Sequence, residues 1–262
     1  MKKKFFKQSE TEKNMQQVFK LPECIKKDAN FTFCPGCDHG VALRLLGEAI
    51  DECGVREDTI AALCVGCSVF LYDFYDIDCL ECPHGRATAE ATGIKRARPD
   101  KFVFTYQGDG DFAAIGFAES LYTATRGEKV TSICINNTTY GMTGGQMGPT
   151  TLLGQVTTTT PYGRSAELNG YPMKIAEHIA LCGGTAFSAR VSLDSVPNII
   201  KAKQAIKKAC EVQIKGLGFG FVEILSGCPT NWKMSPQEAH KHIREKMIPE
   251  FPLGVFKDVT KG

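Results

Sequence analysis

No apolar run in the sequence approaches the roughly 20 residues that a membrane-spanning helix requires. An excess of charge is also missing. Lys and Arg number 31 against 29 Asp and Glu, a formal net charge of +2, so nothing points to nucleic acid or an anionic membrane surface. There is no internal repeat and no low-complexity linker. The opening Met1-Lys2-Lys3-Lys4-Phe5-Phe6 imitates the start of a secretory signal. Lys7-Gln8-Ser9-Glu10 follows where an apolar stretch would have to stand. These absences lead us to expect a cytoplasmic protein in a reducing compartment, with residues 1–20 forming a polar N-terminal arm.

Against that background the cysteines stand out. There are 12 in 262 residues. A reducing compartment disfavours disulfides, so metal, cluster or redox chemistry is the leading account of at least some of them. Others are expected to be small buried hydrophobes.

Strand-like and helix-like segments alternate, which predicts an α/β fold: a Rossmann-like, mainly parallel sheet with helices on both faces. A helix is expected over 38–53, capped by Asp38, with Val41, Leu45, Leu46 and Ile50 on one face and Gly54 as its stop. Further helices are expected over 84–98, 112–126, 172–181 and 196–212. Strands are expected over 60–65, 101–106, 130–135, 185–191 and 219–225. Residues 138–171 are rich in Thr and Gly and lack periodicity, and an irregular stretch of that length is often functional. Residues 21–235 are thus expected as one domain and 236–262 as a docking tail.

The strongest motif is Gly108-Asp109-Gly110-Asp111, which follows the 101–106 strand. Asn136-Asn137 ends the 130–135 strand, with one helix between them. Both fall at carboxyl ends of strands, where open α/β sheets bind ligands. Glycines let the backbone approach a phosphate, and the following helix start offers free N–H groups. Asp and Asn oxygens suit Mg²⁺. A Rossmann dinucleotide site fits less well, because its third glycine would fall at Ala113. A second unit, Cys34-Pro35-Gly36-Cys37, precedes a helix and can hold one metal or half the ligands of a cluster. Spacing alone cannot choose its partners among the other cysteines. Cys64/Cys67 and Cys79/Cys82 are also Cys-x-x-Cys units, as zinc sites use.

The GDG…NN pair, the following Tyr140-Gly141-Met142-Thr143-Gly144-Gly145-Gln146 loop, the Cys34–Cys37 unit, Gly66-Cys67-Ser68, His84-Gly85-Arg86 and Cys228 together resemble one family. It is the thiamine-diphosphate-binding subunit of 2-oxoacid:ferredoxin oxidoreductases, of the 2-oxoisovalerate or 2-oxoglutarate type. The resemblance runs from about Phe33 to Trp232. It implies that Asp109, Asn137 and the Thr139 carbonyl bind Mg²⁺. It implies that Gly108, Gly110, Asp111, Tyr140, Gly141, Met142, Thr143, Cys67, Ser68, His84 and Arg86 surround thiamine diphosphate. It further implies a [4Fe–4S] cluster on Cys34, Cys37, Cys67 and Cys228. Cys53, Cys64, Cys134, Cys182 and Cys210 then read as core, and Cys79 and Cys82 fall outside the pattern.

By the same resemblance the glutamate that activates the cofactor comes from a partner (alpha) subunit. Gamma and ferredoxin-like delta subunits, ferredoxin, coenzyme A and a 2-oxoacid complete the system. No catalytic residue is assigned to this chain. If Val69, Phe70, Leu71 and Tyr72 face the pocket, they favour a branched-chain or aryl 2-oxoacid. Two other expectations compete: a cluster-free thiamine-dependent decarboxylase or ligase subunit, and a zinc-stabilised binding module.

Overall fold

The computed structural model describes residues 20–261, so the expected N-terminal arm lies outside the described residues except for its last position. In chain order the main elements are α1 His39–Cys53, β1 Thr59–Cys64, β2 Asp78–Cys82, α2 Ala87–Ala97, β3 Phe102–Gly108, α3 Phe117–Thr125 and β4 Thr131–Asn136. A short antiparallel hairpin, β5 Thr139–Tyr140 and β6 Gln146–Met147, follows. Then come α4 Ile175–Leu181, β7 Thr185–Ser192, α5 Val196–Ile214, β8 Phe219–Leu225, α6 Pro236–His242 and β9 Gly254–Asp258. Seven strands form one sheet in the order β2-β1-β3-β4-β8-β7-β9. All neighbours are parallel except β9, which runs antiparallel to β7. The expected α/β fold is the observed one.

The central strands are buried on both faces, and their two-residue period divides them between two cores. On β3, Phe102, Phe104 and Tyr106 pack in the core shared with α1 and α5, while Val103 packs in the core shared with α2, α3 and α4. The expected helices and strands lie within a few residues of their predicted bounds. No described helix is long and apolar enough to cross a membrane.

Four differences have physical causes. First, β2 was not expected, because nearly all of Asp78–Cys82 is exposed and no apolar alternation marks it. Backbone pairing with β1 at the sheet edge makes it a strand. Second, residues 236–262, expected as a docking tail, supply α6 and the edge strand β9. Third, the segment read as a helix from His84 becomes helical only at Ala87, and the one read from Phe112 begins with a π-turn over Asp111–Ile115. Such turns recur at functional sites. Fourth, the Asp38 side chain makes no capping bond to α1. Its two oxygens are used elsewhere, as described below.

The irregular 138–171 segment is organised around one buried cation. The Arg164 guanidinium donates to the carbonyls of Pro149, Thr151, Asn169, Gly170 and Tyr171 at 2.6–3.1 Å. One side chain thereby satisfies carbonyls that a loop without ladder partners would leave unpaired.

Candidate functional site

Four motif-bearing loops leave the carboxyl ends of four neighbouring strands. Gly66-Cys67-Ser68 follows β1, Asp109–Asp111 follows β3, Asn137 follows β4 and Cys228 follows β8. The first three line a cleft of about 90 Å³, and the Cys228 loop lies beside it. Every residue expected around the cofactor lines it except Arg86, and His39, Val65, Gly66 and Ile135, which sequence reasoning missed, line it too. Arg86 is a correction. Its guanidinium pairs with Glu119 at 3.0 Å and donates to the Gly85 and Ile115 carbonyls, so it braces the π-turn instead of facing an anion.

Val69, Phe70, Leu71 and Tyr72 are a second correction. None of them lines the cleft. Leu71 is fully buried and Phe70 packs against the same core, while Tyr72 points outward. They carry no information about the substrate.

Asp109 is 1% exposed. Burial pushes its carboxyl up to about 7, against hydrogen bonds from Thr150 and the Asn137 N–H that favour the charged form. The Thr150 hydroxyl lies 2.5 Å from Asp109 Oδ2 and 2.9 Å from Asn136 Oδ1. A hydroxyl has one proton, so both contacts are filled when Asp109 itself is protonated and donates. A divalent cation would replace that proton. Asn137 and Thr139 stand next to this carboxyl. Asn137 Oδ1 accepts from the Thr139 N–H at 3.1 Å, and between them Thr138 sits at φ 59°, a strained conformation for a non-glycine residue. This donor set of carboxylate, amide and carbonyl oxygen fits a hard cation.

Asp111 differs from Asp109. Its oxygens accept from the Gly85 N–H at 2.7 Å and from Gln107, and pair with His84 Nδ1. It holds the wall of the cleft, with three of its roughly four acceptor sites taken by protein groups. Gly110 permits the close approach of Tyr140, since a Cβ there would lie 2.2 Å from that ring.

The network continues away from the cleft. Asn136 Nδ2 donates to Glu223 Oε1 at 2.7 Å, and Arg190 Nε donates to Glu223 Oε2 at 2.9 Å. Both charged side chains are fully buried. Arg190 also pairs with Glu177 and donates to the Pro252 carbonyl.

Beside the cleft the expected cluster cysteines come together. Cys37 lies within electrostatic reach of Cys228 and Cys67, and Cys67 within reach of Cys228 and Cys34. Burial pushes the Cys37 thiol up to about 12 and Cys67 up to about 11, and raises Cys228. Such thiols stay protonated until metal displaces the proton. A Cβ built on Gly141 would be 3.6 Å from both the Cys228 sulfur and Asn137 Nδ2, so this thiol adjoins the cleft. Asn231 Nδ2 lies 2.8 Å from the Gly141 carbonyl and 3.2 Å from that sulfur.

Among the described residues no three His, Cys, Asp or Glu side chains converge on a single-ion site. Four thiols serving a cluster bind one iron each and do not need that convergence. Cys79 and Cys82 lie on β2 three positions apart, one exposed and one buried, so they face opposite sides of the sheet. They cannot chelate together, which removes half of the proposed zinc module. Of the five cysteines expected as core, Cys64, Cys134 and Cys210 are buried, while Cys53 and Cys182 are half-buried against the edges of the cores.

Residues 65–224 match the model for the C-terminal TPP-binding domain of thiamine pyrophosphate enzymes. The chain is 47% identical to ketoisovalerate oxidoreductase subunit VorA of Methanothermobacter marburgensis over 86% of its own length and 47% of the relative. It is 39% identical to 2-oxoglutarate synthase subunit KorB of Methanocaldococcus jannaschii over 87% of its length and 82% of that relative. It thus spans about half the length of the ketoisovalerate relatives it matches. A solved 2-oxoglutarate:ferredoxin oxidoreductase from Magnetococcus marinus, with 2-oxoglutarate, coenzyme A and succinyl-CoA bound, superposes with a TM-score of 0.71. That match has 27% identity and covers 94% of this chain and 87% of the other. The fold, the loops at its strand ends and these similarities agree: the chain belongs to the 2-oxoacid:ferredoxin oxidoreductase subunits that carry the thiamine pyrophosphate-binding domain.

Proposed function

We propose that this chain binds thiamine diphosphate, Mg²⁺ and a [4Fe–4S] cluster, and that its complex converts a 2-oxoacid, with coenzyme A, to an acyl-CoA and carbon dioxide. Electrons would pass to ferredoxin. The observation that carries the reading is the meeting of Cys34, Cys37, Cys67 and Cys228 at the edge of the cleft that holds Asp109 and Asn137. Bound thiamine diphosphate would supply the carbanion chemistry of decarboxylation, and the cluster a one-electron exit. This chain's own part is to hold them. Asp109, Asn137 and the Thr139 carbonyl hold the cation, the glycine-rich backbone after Tyr140 admits the diphosphate, and the four thiolates fix the cluster beside it. The activating glutamate is assigned to an alpha partner, with gamma and delta subunits and ferredoxin as further partners, all in the cytoplasm.

We assign a branched-chain 2-oxoacid as substrate. The cleft lining contains no Lys or Arg among the described residues. Of its two histidines, burial lowers His39 to about 4, so that side chain stays neutral, and His84 Nδ1 is taken by Asp111. The lining thus offers a distal carboxylate no Lys or Arg partner. The 47%-identical relative is named for ketoisovalerate. The test is an anaerobic assay of the whole complex with coenzyme A and a viologen acceptor. 2-Oxoisovalerate should turn over faster than 2-oxoglutarate; a strong preference for 2-oxoglutarate overturns the substrate assignment.

Iron, sulfide and zinc analysis separates the remaining readings. A colourless, iron-free protein would be a cluster-free decarboxylase or ligase subunit. Replacing Cys228 by Ser should remove the [4Fe–4S] signal while leaving thiamine diphosphate binding. A full cluster signal in that variant would refute the ligand set.

A further inference from the structure

Asp38 sits directly after Cys37, is 4% exposed and does not cap its helix. Its Oδ2 accepts from the Gly227 N–H at 2.6 Å, and Gly227 directly precedes Cys228. Its Oδ1 pairs with His240 Nε2 at 2.9 Å. One carboxylate therefore links both cysteine loops to α6. Packing repeats the same link. Gly36, between Cys34 and Cys37, has φ +76°, and a Cβ there would lie 2.3 Å from Pro236 Cγ. A Cβ on Gly227 would lie 3.3 Å from Ala239 Cβ. Pro236, Ala239 and His240 all belong to α6, so the helix touches the two loops at three successive points. The helix itself is well fixed. Ser235 and Glu238 form a reciprocal capping box, and Arg244, just beyond, pairs with Asp194 at 3.5 Å.

We propose that α6 is a clamp on the cluster site, and that Asp38 and His240 are positioning residues holding the Cys34/Cys37 loop and the Cys228 loop at one spacing. The inference rests on the cluster assignment above and adds a role for residues outside the ligand set. Groups that orient ligands from behind change metal retention about 10–100-fold when removed.

The test uses the whole complex, purified anaerobically, as wild type, Asp38→Ala, Asp38→Asn and His240→Ala. Each is examined for iron and sulfide content, the electron paramagnetic resonance spectrum of the reduced cluster, and the rate at which a ferrous chelator bleaches its visible absorption. Asp38→Ala should bleach about 10–100-fold faster with an altered spectrum, and His240→Ala about 10-fold faster. Asp38→Asn, which keeps an acceptor for the Gly227 N–H, should fall between Asp38→Ala and wild type. Magnesium-dependent thiamine diphosphate binding should be unchanged in all three. If Asp38→Ala does not accumulate folded, the partly exposed His240→Ala carries the test. Wild-type bleaching rates and spectra in both alanine variants would sink the clamp and leave the cluster assignment standing. A wild-type complex without iron would sink the cluster assignment and the clamp with it.

Discussion

Replacing Asp109 by Asn is expected to raise the stability of the cofactor-free chain and to abolish its magnesium-dependent binding of thiamine diphosphate. The carboxyl is buried, and its pKa rises from 3.8 to about 7 on folding. A group raised in this way stabilises the fold fully below the unfolded value, and that contribution is lost as pH rises through the folded one. At pH 8 the shift amounts to as much as about 4 kcal/mol opposing the folded state. Asn has the shape of the protonated acid and can donate to the Thr150 hydroxyl as that acid would. It removes the unfavourable charge together with the oxygen that would bind the cation. Thermal unfolding followed by circular dichroism should show the variant about 5–10 °C above wild type at pH 8, with the gap closing towards pH 4. Added Mg²⁺ and thiamine diphosphate should stabilise wild type and not the variant. A variant less stable than wild type at pH 8 would contradict this account of Asp109.

Arg190→Met should cost about 3–5 kcal/mol, because it leaves Glu223 charged, fully buried and without its cation. The loss should appear as a fall of roughly 10 °C in the unfolding midpoint. The double variant Arg190→Met, Glu223→Leu removes both charges and should recover much of that stability. It should not recover cofactor binding, since Asn136 Nδ2 then has no acceptor and the Asn136–Thr150–Asp109 chain loses its support. Magnesium-dependent binding about 10–100-fold weaker than wild type, measured by titration on the refolded double variant, is the expected result. Wild-type binding in that variant would confine the ion pair to a role in folding.

The two predictions differ in how visible their residues were before folding. Asp109 was legible because a Gly-Asp-Gly turn after a strand places an oxygen ligand where α/β sheets bind phosphates. Arg190 was not, because it lies within a strand whose neighbours look like ordinary core. Nothing local says that its charge is answered by Glu223 from β8 and Glu177 from α4. Arg86 was misread for a related reason. A helix start with an Arg suggests an anion site, but Glu119 on α3 takes its charge. Asp38 looked like a helix cap, and two distant residues claimed its oxygens. Edge strand β2 escaped notice because its residues are exposed, so only the backbone of β1 makes it a strand.

The sequence by itself determined the alternation of strands and helices, the two turns at the ends of β3 and β4 and the supply of thiols, because each depends on residues close together in the chain. Periodicity, turn chemistry and the Cys-x-x-Cys spacing are local properties. Spacing left the partners of Cys34 and Cys37 open, and only resemblance named Cys67 and Cys228. The tertiary structure brings those two near the first pair, since the sheet order places the ends of β1 and β8 on one side of the sheet. Only the tertiary structure decided that the segment after Trp232 closes over the cysteine loops and adds a strand to the sheet. Burial and pairing across the sheet set those outcomes, and neither is a property of any short stretch of chain.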